Sequence, residues 1–223
     1  MRLIFLVSMC LSTVLSVFSS EAYAERQAVI FIECEHEDLA DASIFELVTV
    51  WVTNANLGAS YDTLHWLVNK DATRDNFMAS MITAVNESPS VDLYLIAHGG
   101  TEYVWGHNDT RITSDDILAL GTFENMDHLR FVYNGSCYGY DQTDEYRTIG
   151  AMSTIGNIEL STNEVFYPAF TNHFRKRTGH GGEDISKPLY EAVRIAKEAT
   201  IAVNVPMNFE INGDKEVKMT TPR

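Results

Sequence analysis

Two stretches of the chain end in residues capable of covalent chemistry. VDLYLIAH, residues 91–98, is an apolar run closed by His98 and followed by Gly99 and Gly100; RFVYNGSC, residues 130–137, is a second run closed by Cys137 behind Gly135 and Ser136. A thiolate is a strong nucleophile, and at neutral pH it needs a base or a cation beside it to form. Imidazole is the side chain best suited to act as that base. Glycines next to both residues let a substrate backbone come close and leave main-chain N–H groups available for an oxyanion. His98 with Cys137 is thus a candidate pair for acyl transfer through a thioester.

For the two to meet, their runs must be neighbouring strands ending on one rim. The rest of the chain supplies such a frame. QAVIFIEC (27–34) is a β-branched apolar strand, followed by a helix over 39–58 whose end carries Asn56 and Gly58 as stop signals. A short strand over 61–68, a helix over 73–89 closed by Pro89, the 91–98 strand and a short helix over 113–121 come next. That short helix opens on Thr113 or Ser114 as N-cap, with Asp115 and Asp116 in its first turn. Then follow the 129–137 strand, another over 149–158, and helices over 168–178 and 187–202. The tail, 208–219, predicts a hairpin with Asn212-Gly213 at its turn. YDQTDEYRT, residues 140–148 beyond the cysteine, lacks helical spacing and predicts a loop. Alternating strands and helices give an α/β fold, a three-layer α/β/α sandwich around a mostly parallel sheet. Working residues in such sheets gather at the carboxyl ends of the strands, where His98 and Cys137 both fall.

Length and composition fit one domain. The chain has 223 residues, 45% hydrophobic and 21% charged, the balance of a folded globular protein. Arg2, an apolar run over 3–18 and SSEAYA with Ala22 and Ala24 read as an export signal cleaved after Ala24, leaving a single domain over 25–223, secreted or periplasmic. The formal charge is −15, which argues against nucleic acid and anionic membranes as partners and favours cationic or neutral ones. No stable membrane association is expected. Cys34 and Cys137 are the cysteines left after cleavage, too few for a disulfide scaffold, though they could pair with each other. Asn86, Asn108 and Asn134 each head an Asn-x-Ser/Thr sequon, Asn134 beside the thiol.

The ordered set of LYLIAHGG, RFVYNGSC, the opening FIECEHEDLADASIFELV and the late PLYEAVRIAKEA resembles the caspase-hemoglobinase clan of cysteine peptidases, which includes caspases, metacaspases, legumains and gingipains. The resemblance covers most of the mature chain. It implies that His98 is the general base, that Cys137 is the nucleophile, and that the N–H groups of Gly99 and Cys137 form the oxyanion hole. It implies a protein or peptide substrate and no cofactor or metal in the chemistry. In the clan's strand order the histidine strand lies between the first strand and the cysteine strand, which would hold Cys34 and Cys137 about 9–10 Å apart. A disulfide needs Cα atoms within about 7 Å, so this order leaves Cys137 free.

Substrate selection is where this sequence departs from the clan. Relatives that cut after Arg or Lys often carry Asp two residues before the cysteine, and caspases carry Gln; here Gly135 stands there, with Ser136 beside it. A second pocket wall comes from the loop after the first strand, where this chain offers Glu37 and Asp38. These acidic residues predict a preference for a cationic side chain, Arg or Lys. A metal on Glu35, His36, Glu37 and Asp38 is disfavoured because consecutive residues rarely converge on one ion. Two other readings stand beside the peptidase. Gly135-Ser136-Cys137-Tyr138-Gly139 satisfies the elbow of α/β-hydrolases and amidotransferase-like enzymes, with a downstream His173 or His180 as base. The fold could also serve without turnover, as a secreted binding protein.

Overall fold

A computed structural model describes residues 25–34, 42–161, 163–180, 182–205 and 207–222. The proposed leader, with its Ala24 cleavage site, and the loop holding Glu35, His36, Glu37 and Asp38 lie outside the described residues. The central sheet has six strands in the order β2-β1-β3-β7-β8-β9. These are β1 (Arg26–Glu33), β2 (Thr63–Val68), β3 (Ser90–Ala97), β7 (Leu129–Asn134), β8 (Ser153–Asn157) and β9 (Phe209–Gly213). All neighbours pair in parallel except β9, which runs antiparallel to β8 at the edge.

Helices cover both faces, which is why the inner strands are mostly apolar rather than alternating. On one face lie α1 (Ala42–Leu57), α5 (Asn163–Phe174) and α6 (Leu189–Ala202), packed on Ile30, Ile32, Tyr94, Ile96 and Tyr133. On the other lie α2 (Arg74–Glu87), α3 (Ser114–Leu120) and α4 (Thr143–Thr148), packed on Phe31, Leu93, Leu95 and Val132. Alternation along each strand sends successive side chains to opposite cores. The first core is rich in aromatic rings, with Phe166 and Phe209 stacked at a centroid distance of 3.8 Å. A second, three-stranded antiparallel sheet, β4 (Gly99–Gly100), β5 (Tyr103–Trp105) and β6 (Arg111–Thr113), leaves the end of β3.

The helix signals operate as the residue types require. Thr73 caps α2, its side chain accepting from the Asn76 N–H, and Thr113 with Asp116 forms a full capping box on α3. Three expectations are corrected. Helix α5 begins at Asn163, five residues before the predicted start, and holds Pro168 inside its span. Pro168 lies in the second turn, where its missing N–H costs one bond, and the buried Phe166, Tyr167 and Phe170 carry the helix through it. The tail is not a hairpin: β9 adds to the sheet edge, because Phe209 stacks into the aromatic core and Ile211 pairs with Ile155. YDQTDEYRT is not a plain loop either, since a short 3-10 turn over Gly139–Gln142 runs into α4, anchored by the buried Tyr146.

At the amino end of β7, fully buried Arg130 meets buried Asp92 of β3. Its Nε donates to Asp92 Oδ1 at 2.9 Å, and its other nitrogens reach Asp92 Oδ2 and the carbonyls of Lys218, Met219 and Thr221. Tyr61 and Tyr94 complete the cluster, their hydroxyls 2.8 Å apart, with burial pushing both phenols well above their usual range. Truncating one member of such a pair strands a buried charge. Arg130→Met is expected to cost about 3–5 kcal/mol of unfolding free energy, and adding Asp92→Leu to recover most of it, read by urea denaturation.

Candidate active site

His98 and Cys137 follow the carboxyl ends of β3 and β7, which are adjacent and parallel. The loops that carry them are in contact. A Cβ on Gly99 would lie 2.7 Å from Ser136 Cβ, so the residue after the histidine touches the residue before the cysteine with no room for a side chain between them. The Gly135 N–H donates to Leu95 O at 2.8 Å, carrying the β3–β7 ladder one residue past the end of β7.

The cysteine loop is held from inside by neutral polar groups. Asn134 Oδ1 accepts from the Ser136 hydroxyl at 2.6 Å and from its N–H at 3.2 Å, while Asn134 Nδ2 donates to Gln142 Oε1 at 3.1 Å. Asn163, at the start of α5, clamps the other side: its Nδ2 donates to Gly135 O at 2.8 Å and its Oδ1 accepts from Tyr133 OH at 2.7 Å. All of these side chains are buried and each bond satisfies a group that burial would otherwise penalise. The thiol is half-buried, and the Ser161 N–H donates to Cys137 Sγ at 3.3 Å. That donor points at the atom on which negative charge resides when the thiol acts as a nucleophile.

The hairpin orients the histidine loop. Trp105 N–H donates to His98 O at 2.9 Å, which makes His98 and Trp105 a hydrogen-bonded cross-strand pair. Alternation then makes Gly99 and Val104 a non-bonded pair, so the Gly99 N–H is directed away from β5. His98 is exposed. Buried Glu33 closes β1 opposite Ala97, with His107 Nδ1 3.6 Å from its Oε2.

Of the residues singled out from sequence, the fold brings His98, Gly99, Gly135, Ser136 and Cys137 together. Gly135 and Ser136 are buried, and Ser136 spends its hydroxyl inside the loop, so both support the turn from beneath. Glu37 and Asp38 lie outside the described residues. Cys34 and Cys137 are both free, β3 standing between β1 and β7. The hydrolase arrangement is not met: Tyr138, not Cys137, takes the left-handed conformation at φ 56°, and no α-helix starts until Thr143. His173 ends α5, roughly 15 Å along that helix from Asn163, so it belongs to the opposite end of the sheet. His180 lies in the segment bridged by Thr178 and Asp184, whose Oδ2 meets Thr220 near the Arg130 cluster. Among the described residues no group of three or more His, Cys, Asp or Glu could hold a metal, and no helix is long and apolar enough to cross a membrane. Ser161 and Asn163 were not legible beforehand; Asn163 closes the STN run, a set of helix-start residue types, and Ser161 acts through its backbone.

No protein-family model and no curated protein sequence matches the chain. Solved structures do. The Arg specific cysteine proteinase gingipain R aligns with a TM-score of 0.57 at 12% identity, over 89% of this chain and 48% of that one. The complex of Porphyromonas gingivalis RgpB pro- and mature domains gives 0.55 at 10%, over 89% and 49%. The Drosophila initiator caspase Dronc gives 0.54 at 8%, over 88% and 83%. The chain spans about half the length of the gingipain chains it matches. At these identities the likeness is one of fold, and the fold is that of the caspase-hemoglobinase cysteine peptidases.

The two thiols differ in exposure, Cys34 being buried and Cys137 half-buried. Cys34 is buried at the end of β1, and burial together with Glu46, Glu33 and Glu164 pushes its pKa far up. Iodoacetamide near neutral pH is expected to modify Cys137 and spare Cys34 until the protein is unfolded, read by peptide mass spectrometry.

Proposed function

We propose that the protein is an exported cysteine endopeptidase in which His98 and Cys137 form the catalytic dyad. The observation that carries this reading is the contact of Gly99 with Ser136, the neighbours of the two residues, at the carboxyl ends of adjacent parallel strands. In the reaction His98 takes the thiol proton and Cys137 Sγ attacks the scissile carbonyl. The N–H groups of Gly99 and Cys137 hold the oxyanion. His98 then gives its proton to the departing amine, leaving a thioester. Water, activated by the same imidazole, attacks the thioester and restores the thiol.

A cationic residue on the acyl side of the cleaved bond is the proposed preference. The acidic Glu37 and Asp38 on the loop after β1, together with a formal charge of −15, support it. Gly135 brings no charge to this choice, since Tyr133 and Asn163 fill the space a side chain there would need.

Peptidyl acyloxymethyl ketones bearing Arg, Lys, Asn or Asp at the reactive position test the assignment on the purified mature protein. The Arg or Lys probe is expected to label Cys137, to fail on Cys137→Ala, and to label His98→Ala at least about 100-fold more slowly. Absence of labelling by every probe would leave the fold as a binding scaffold without turnover.

A further inference from the structure

The face of the small sheet that carries His98 holds more than the histidine. Directly opposed residues of an antiparallel sheet share a face, and so do residues two apart. The register pairs His98 with Trp105 and Trp105 with Arg111, while Gly100 faces Tyr103 and Tyr103 faces Thr113. His98, Trp105 and Arg111 therefore form one row across three strands. Val104 and Ile112 point the other way, fully buried in the core.

Arg111 is exposed yet fixed. Its guanidinium carbon lies 4.1 Å from the Trp105 ring centroid and 4.7 Å from that of Tyr103, and the two rings meet edge-on at 81°. Stacking on two rings orients the guanidinium plane and leaves its N–H edge for another group. In a chain with 31 acidic and 16 basic residues, Arg111 makes no ion pair among the described residues. The acidic cleft lined by Glu102, Asp141, Asp144 and Glu145 lies at the turn end of the hairpin, where Glu102 itself stands.

We propose that Arg111, held on Trp105 and Tyr103, binds a substrate carboxylate on the leaving-group side of the cleaved bond. The inference rests on the peptidase reading above. His98 must protonate the departing amine, so the leaving half of the peptide lies on the His98 side of Cys137, over this row. Arg111 leaves a strand two spacings from His98, but its guanidinium lies over Trp105, one spacing or roughly 5 Å from the His98 strand, and an extended peptide advances about 3.3 Å per residue. The second residue beyond the scissile bond therefore reaches the guanidinium, which can grip a carboxylate through two N–H groups. That carboxylate is either an acidic side chain or the chain terminus of a dipeptide leaving group.

Quenched peptides with one common acyl half separate these sources. One arm carries Asp or Asn at the second position of a long, amidated leaving half; the other ends in a dipeptide with neutral side chains, as free acid or amide. Wild-type protein is expected to favour Asp over Asn, or acid over amide, by about fivefold in kcat/KM, the scale of a partly exposed ion pair, expressed in KM and shrinking with added salt. Arg111→Gln is expected to abolish the preference and Arg111→Lys to retain part of it. Ratios near one in both arms, or a preference that survives Arg111→Gln, would overturn the carboxylate site while labelling of Cys137 by an acyl-side ketone still upholds the peptidase. Failure of that labelling would overturn both.

Discussion

The geometry of the site depends on one extra residue in β7. Val91 pairs with Leu129 and Asp92 with Phe131, so Arg130 has no partner across the ladder. Before this bulge the register offset between β3 and β7 is 38 residues, and after it 39, from Asp92–Phe131 to Leu95–Asn134. His98 and Cys137 are separated by the same 39, each three residues beyond the last paired residues, Leu95 and Asn134. Without the bulge Cys137 would run one residue further and every side chain beyond Arg130 would face the opposite core. The bulge residue is an arginine whose charge is answered by Asp92, the first residue on β3 after the shift. A bulge re-aims side chains, and a buried ion pair across it leaves little freedom to slip. Arg130 also gathers the carbonyls of Lys218, Met219 and Thr221, so the same group ties down the end of the chain.

Above that base, the loop bearing the thiol is fixed without charges. Asn134, Ser136, Gln142 and Asn163 exchange short hydrogen bonds in a water-poor layer, where an unmade bond is costly. The arrangement also explains the departure at Gly135. A Cβ there would fall 2.6 Å from the Tyr133 ring and 2.7 Å from Asn163 Oδ1, so the site of a recognition side chain in relatives is here the seat of the clamp.

Much of this was legible in the sequence, and the exceptions have physical causes. β1, β3 and β7 announced themselves because both faces are buried and their residues are mostly apolar. His98 and Cys137 stood out because reactive side chains rarely close such runs next to glycine. Pro168 misled because its helix-breaking tendency is outweighed by the aromatic residues around it, a tertiary effect no local rule contains. The β4–β6 sheet was missed because its first strand is two glycines long. Ser161 was invisible because its contribution to the thiol is a backbone N–H, which every residue but proline carries.

Asn134 has one further consequence. It heads a glycosylation sequon, yet in the folded protein its side chain is fully buried, with Oδ1 and Nδ2 both committed beneath the thiol. Sugar transfer to Asn134 and formation of this loop are therefore mutually exclusive: a glycan attached to the emerging chain would consume the amide that organises the turn, and the molecule carrying it could not close. In a compartment that glycosylates, the yield of folded protein is a race between β7 pairing with β3 and a transferase reaching the same asparagine.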